Sequence, residues 1–133
     1  DVCSSDLPCG PPFPALTADQ RAAGQLFVTL WPTCYIVAHV DYVRVVSLRP
    51  LGPESTELTA EWLFSPDTLR QPDFDLADIT SFATLVMTQD GEACEMNQRG
   101  LRSNAYKAGR LMPQEFDVHR FHNWVREQLH NGD

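Results

Sequence analysis

The stretch MTQDGEACEMNQ, residues 87–98, places an acidic side chain, Asp90, in a helical pattern whose same-face neighbours are apolar. A carboxylate left ionised and alone in an apolar environment costs several kcal/mol even after relaxation, so an inward-facing Asp90 needs a partner. One answer is a hydrogen bond to a Trp, Tyr or Arg from a neighbouring sheet. The other is a metal ion. A carboxylate joined by two imidazoles on one face of the ion holds non-haem Fe(II) and leaves positions open for O2, and a helix is a rigid platform for one member of such a set. The histidines on offer are His39, His119, His122 and His130. His119 and His122 stand i, i+3 on a C-terminal helix but diverge in direction, and only His122 falls on its apolar stripe. His39 closes a strand before an Asp-Tyr turn, where structural duty is expected. The sequence therefore offers one candidate metal ligand, Asp90, and no convincing histidine pair to accompany it.

The elements that must position Asp90 follow from the order of residue types. Thr17, followed three residues later by Gln20, forms a capping-box pattern that starts a short helix toward Gly24. From Gln25 the texture turns β-branched and aromatic. LFVTLW (26–31), CYIVAHV (34–40), YVRVVSLRPL (42–51) and STELTAEWLF (55–64) are each bounded by Pro, Asp or Gly-Pro, and predict an antiparallel four-stranded meander. In the last of them Thr56, Leu58, Ala60, Trp62 and Phe64 alternate with Glu57, Thr59 and Glu61, as a sheet with one wet face requires. SPDTLRQPD is read as a polar loop. Asp75 is a plausible N-cap for a long helix. Spaced at 100° per residue, Ile79, Phe82, Ala83, Val86, Ala93, Cys94 and Leu101 fall in one stripe, with Asp90 and Asn97 in its middle and Thr84, Thr88, Glu92 and Glu95 opposite. A second amphipathic helix, EFDVHRFHNWVREQLH, aligns Val118, Phe121, His122, Val125 and Leu129. The expected fold is α+β, an antiparallel meander packed against a long helix and a C-terminal helix, a partial helix-grip arrangement.

The totals narrow the function classes. A chain of 133 residues can form one core. Its net charge of -8, with 10 scattered Lys and Arg, argues against a nucleic-acid partner. No apolar run approaches the ~20 residues of a membrane helix, so no membrane partner is expected and the default location is cytoplasmic. Cys3, Cys9, Cys34 and Cys94 form no C-x-x-C pair and are read as reduced, small buried or incidental thiols. DVCSSDL at the start has no cap, period or apolar face and resembles the read-through of a sequencing adaptor. Residues 1–11 are accordingly expected to be unstructured and non-native, and residues 12–133 to be the domain, with the natural chain continuing upstream.

Taken together, LTADQRAAGQLFVTLWPTCYIVAHVDYVRVVSLRPLGPESTELTAEWLF and QDGEACEMNQRGLRSNAYKAGRLMPQEFDVHRFHNWV resemble the C-terminal part of the catalytic domain of Rieske-type ring-hydroxylating oxygenase large (alpha) subunits, over roughly residues 12–130. The resemblance implies that Asp90, in the motif Q-D-x-x-x-C-E-x-x-Q, is the carboxylate of a mononuclear Fe(II) site with two histidines. It also implies a [2Fe-2S] cluster, a ferredoxin or flavin reductase, O2 and a small organic substrate that is hydroxylated or demethylated, and a homotrimeric parent. The C-x-H and C-x-x-H pairs of the cluster do not occur here, so the resemblance assigns both them and the iron histidines to a missing N-terminal region, and the chain alone is expected to be inactive. Phe82, Val86 and Asn97, near the azimuth of Asp90, are candidate substrate-binding residues. No catalytic residue is assigned. Gly91 stands where relatives often carry a bulky aromatic residue, and the last stretch is somewhat more similar to the quaternary-amine and betaine branch than to the naphthalene branch. The competing class is a helix-grip small-ligand binding module without metal or redox activity.

Overall fold

The computed structural model describes residues 10–130. Most of the segment set apart at the start, residues 1–9 with Cys3 and Cys9, lies outside the described residues. The chain forms two compact units, one up to Asp90 and one from Gly91 onward, and each is described by itself.

The first unit opens with helix α1 (Ala18–Ala23), whose start is fixed by two reciprocal bonds. The Gln20 N–H donates to Thr17 Oγ1 at 3.2 Å, and the Thr17 N–H donates to Gln20 Oε1 at 2.9 Å. Gly24 ends the helix at φ 75°, a conformation that suits a residue without Cβ. Four strands follow: β1 (Gln25–Leu30), β2 (Cys34–His39), β3 (Tyr42–Gly52) and β4 (Ser55–Phe64). They pair antiparallel in sequence order, as the meander predicts. The fold is α+β.

Register decides which side chains share a face. Phe27 opposes Val37, Val37 opposes Arg44, and Arg44 opposes Trp62, so one row crosses all four strands. The alternation expected in β4 is present in its second half, where Ala60, Trp62 and Phe64 are half-buried while Thr59, Glu61 and Leu63 are exposed; Thr56 and Leu58, expected on the same inward face, are exposed.

SPDTLRQPD is not a loop throughout. Pro66–Leu69 form a short helix, α2, because the Ser65 hydroxyl accepts the Thr68 N–H at 3.2 Å and Pro66 supplies a first position that needs no N–H. Thr68 is almost fully buried. Helix α3 (Leu76–Leu101) begins as expected, with the Ala77 N–H donating to Asp75 Oδ1 at 2.8 Å. In this unit Ile79 and Ala83 are buried and Val86 is half-buried, so the apolar stripe finds cover up to that turn.

The second unit holds the later turns of α3, a 3-10 turn (Pro113–Glu115) and α4 (Phe116–His130). In α4, Phe121, Trp124 and Val125 are half-buried, and the rings of Phe121 and Trp124 stack at 6.0 Å. Val118, His122 and Leu129, also placed on the apolar stripe, are exposed.

Candidate functional site

A cleft of about 240 Å³ lies between the sheet and the first turns of α3, inside the first unit. From the strands come Gln25, Phe27, Val37, His39, Tyr42 and Arg44; from the helix come Ile79, Phe82, Ala83 and Val86. The helix contribution is apolar because i, i+3, i+4 and i+7 positions present one face. The strand contribution alternates with residues of the opposite sheet face, so every second side chain from Gln25 to Phe27, Val37 to His39 and Tyr42 to Arg44 reaches the same side.

The polar end of this cleft was not singled out in the sequence. His39 and Tyr42 flank the β2–β3 turn, and their rings stack with centroids 4.3 Å apart. Tyr42 packs in turn against Phe64 at 5.8 Å, and Phe64 meets Phe74 edge-on at 5.2 Å. Burial holds the His39 imidazole below its ordinary pKa, and the neighbouring Arg44 cation pushes the same way against the opposing pull of Asp41. The Tyr42 hydroxyl is raised, chiefly by burial, so both rings are neutral near pH 7. Arg44 stands beside them as a permanent cation. Its Nε is buried and has no hydrogen-bond partner among the described residues, and the same holds for Nε1 of Trp62, the residue directly opposite on β4. The signal was present in YVRVV: with Val43 and Val45 on one face of the strand, Arg44 has to go to the other, where Val37 and Trp62 flank it.

Phe82 and Val86, the two expected pocket walls on α3, both line this cleft. Asp90 does not. It is exposed, and among the described residues no hydrogen bond or ion pair to it is present, so the expectation of an inward carboxylate is corrected. The physical reason is that a helical stripe is buried only where another layer lies over it: within the first unit Ile79 and Ala83 are buried and Val86 is half-buried, whereas Asp90 is exposed. Asn97, Ala93, Cys94 and Leu101, on the same stripe in the second unit, are likewise exposed. Cys34 and Cys94 are free thiols, the first half-buried and the second exposed.

The carboxylate that has lost its water is Asp41, at 2% exposure in the β2–β3 turn. Its Oδ2 accepts the Gly10 N–H at 3.0 Å. The adjacent Phe13 N–H donates to the Val40 carbonyl at 2.8 Å, so the residues around position 10 are tied to the same turn. Asp in a tight turn, where it serves backbone donors, was the available clue.

Among the described residues no three of His, Cys, Asp and Glu gather into a group that could hold a metal ion. His119 faces Asn123 at 3.4 Å, His130 contacts the Arg126 carbonyl at 2.6 Å, and both are exposed.

Comparison with known sequences places the chain in a family. The profile of the ring-hydroxylating alpha subunit catalytic domain matches residues 9–131. The chain belongs to this family. It is 32% identical over 93 residues to the glycine betaine monooxygenase oxygenase subunit of Pseudomonas aeruginosa (strain UCBPP-PA14), covering 69% of this chain and 22% of that protein. It is 29% identical over 112 residues to the chloroplastic choline monooxygenase of Spinacia oleracea, covering 84% of this chain and 25% of that protein. The chain thus spans about a quarter or less of the length of these relatives. Among the described residues no helix is long and apolar enough to cross a membrane.

Proposed function

We propose that this chain is part of the catalytic domain of a Rieske non-haem iron oxygenase subunit. The whole enzyme would use O2 and electrons from a ferredoxin or flavin reductase to hydroxylate or demethylate a small aromatic or quaternary-amine substrate. The observation that carries this reading is the family match over residues 9–131, within which Asp90 sits in the Q-D-x-x-x-C-E-x-x-Q motif. Both relatives named above are monooxygenases by name, which favours the monooxygenase side and the quaternary-amine branch.

In this reading Asp90 supplies the carboxylate ligand of a mononuclear Fe(II), while its two histidines and the [2Fe-2S] cluster belong to the part of the relatives' length that this chain does not span. Exposure of Asp90 removes any need for a partner inside this chain and leaves its oxygens accessible to a ligand set completed from elsewhere. The cleft lined by Phe82 and Val86 is the place for the substrate, since small-molecule sites are concave, mostly apolar and carry a few convergent polar groups. Asn97 is proposed as a further substrate-side residue. The assembled enzyme is proposed to be a cytoplasmic homotrimer.

Two measurements test this. The 133-residue chain, reconstituted anaerobically, is expected to bind Fe(II) poorly and to show no oxygenase turnover; stoichiometric iron in it would overturn the division of ligands. In the full-length subunit, Asp90→Ala is expected to abolish mononuclear iron and turnover while the visible spectrum of the iron–sulfur cluster persists. Iron retained in that variant would remove Asp90 from the ligand set.

A further inference from the structure

We infer that Asp41 is a positioning residue for the polar end of the cleft: it pins the segment from Gly10 to Phe13 against the β2–β3 turn and so fixes the turn that carries His39 and Tyr42. The inference rests on the oxygenase reading only in taking the cleft for a substrate site, and adds to that reading a residue that does not itself line the cleft.

The bond that Asp41 makes is unusual for an aspartate between two strands. In a tight turn such a side chain ordinarily serves a backbone N–H two residues on. Asp41 instead reaches back 31 residues, where its Oδ2 accepts the Gly10 N–H at 3.0 Å. Connecting β2 to β3 does not require that contact, and the carboxylate has given up nearly all of its water in the place where it makes it.

Other contacts hold the same segment. The Phe13 N–H donates to the carbonyl of Val40, the residue before Asp41, at 2.8 Å. The Phe13 carbonyl accepts from Arg21 Nη2 of α1 at 3.2 Å. On its other side Gly10 lies against α2, so closely that a Cβ there would stand 2.8 Å from Thr68 Cγ2 and 3.2 Å from Thr68 Oγ1. Thr68 has little freedom to turn aside. It is almost fully buried, its N–H donates to Ser65 Oγ at 3.2 Å, and the two hydroxyls share a hydrogen bond at 3.0 Å. The segment is therefore wedged between α2 and the turn, and glycine is the residue that fits at its narrowest point.

The turn held in this way supplies the cleft with its polar groups. His39 ends β2 and Tyr42 begins β3, their rings stack at 4.3 Å with planes 18° apart, and both line the cleft, whereas Asp41 does not. A shift of the turn moves both rings together. The charge of Asp41 reaches them as well. Burial acts most strongly on each ring; beyond it, Arg44 lowers and Asp41 raises the pKa of both. From α3 only apolar side chains reach the cleft, and from β1 only Phe27 and the neutral amide of Gln25. Arg44, Asp41 and the two rings are thus the charged and titratable groups at this end among the described residues.

The test uses the full 133-residue chain. Nuclear magnetic resonance follows the His39 imidazole across pH and the ring signals of His39 and Tyr42 at fixed pH, and hydrogen exchange is read at the Gly10 and Phe13 amides. In the unmodified protein both amides are expected to exchange at least about 10-fold more slowly than in an unstructured chain. Asp41→Asn keeps an acceptor oxygen and removes the charge, so His39 is expected to titrate at lower pH; a residue that merely filled the turn would leave that titration in place. Gly10→Ala keeps every charge and drives the segment off Thr68. It is expected to abolish the protection of both amides and to shift the ring signals of His39 and Tyr42. Adding Thr68→Ser, which removes the methyl that the new Cβ meets, is expected to restore both in part. Unprotected amides in the unmodified protein, a His39 titration that stays or moves up in Asp41→Asn, or ring signals untouched by Gly10→Ala would each overturn the assignment. Should one variant fail to fold, the other and the exchange measurement on the unmodified protein decide. Neither iron nor turnover is read, so failure here leaves the oxygenase reading standing, and a full-length subunit without mononuclear iron would defeat that reading and leave Asp41 its role.

Discussion

Asp41 and Asp90 carry the same side chain and have opposite surroundings. Asp41, in a two-strand turn, is almost fully buried and reaches across 31 residues to the Gly10 N–H. Asp90, on a helix face with apolar neighbours on either side, is exposed. The helical pattern around Asp90 is the stronger sequence signal, yet burial went to the residue in the turn. A periodic stripe states which way a side chain points along its own element. Whether anything lies in that direction depends on residues elsewhere in the chain. The contrast also separates two duties of a carboxylate: Asp41 is committed to holding backbone, whereas Asp90 has no described bond to give up and is free to bind a ligand.

That contrast can be broken most directly by removing each carboxylate in turn. Asp41→Ala leaves the half-buried Gly10 N–H without its acceptor and is expected to cost about 1–3 kcal/mol in urea unfolding. Asp90→Ala is expected to change the same midpoint by less than about 0.5 kcal/mol, as surface substitutions do. Equal costs at the two sites would mean that Asp90 is structural after all. A smaller gain sharpens the point at the next residue. A Cβ built on Gly91 meets nothing within 4 Å, and α3 runs through it without a break, so Gly91→Ala is expected to raise stability by up to about 1 kcal/mol through helix propensity alone. A loss there would show that the neighbourhood of Asp90 is more crowded than the fold has it.

The smallest effect concerns the turn that Asp41 organises. His39 has its pKa lowered by burial, then by Arg44, so the unfolded chain takes up a proton before the folded one does. As pH falls through the ordinary histidine value of 6.5 toward the lower folded one, stability should decline, and above that window His39 contributes no slope. His39→Gln is expected to flatten the decline in that window and to leave the profile above it unchanged. An identical profile in the variant would show that His39 is not held neutral by its place in the cleft.

Much of the architecture was readable in advance where the determining bonds are short in sequence. The Thr17–Gln20 capping box, the cap of Asp75 on Ala77 and the four strand segments each depend on short stretches, from three residues (Asp75–Ala77) to the 11 of β3. The S-P-D start of α2 is just as local and was passed over as a loop because its helix is only one turn long. The candidate site was legible in part. Phe82 and Val86 reach the cleft because helical spacing puts them on the face of Ile79 and Ala83. Arg44, His39, Tyr42 and Gln25 were not recognised as its polar end, because adjacent strands bring them together through register rather than through proximity in the chain.

By itself the sequence determined the α+β element order, the caps, part of the strand alternation and, through its similarity over residues 9–131, membership of the ring-hydroxylating alpha subunit family. Those are consequences of backbone dihedral preferences and side-chain period, which act over a few residues. Only the tertiary structure decided that Asp41 rather than Asp90 is dehydrated, that Ile79 and Ala83 on α3 are buried, and that two buried N–H groups on opposed residues of β3 and β4 have no acceptor among the described residues. Burial and electrostatic surroundings are set by which layers meet, and that depends on contacts between residues far apart along the chain.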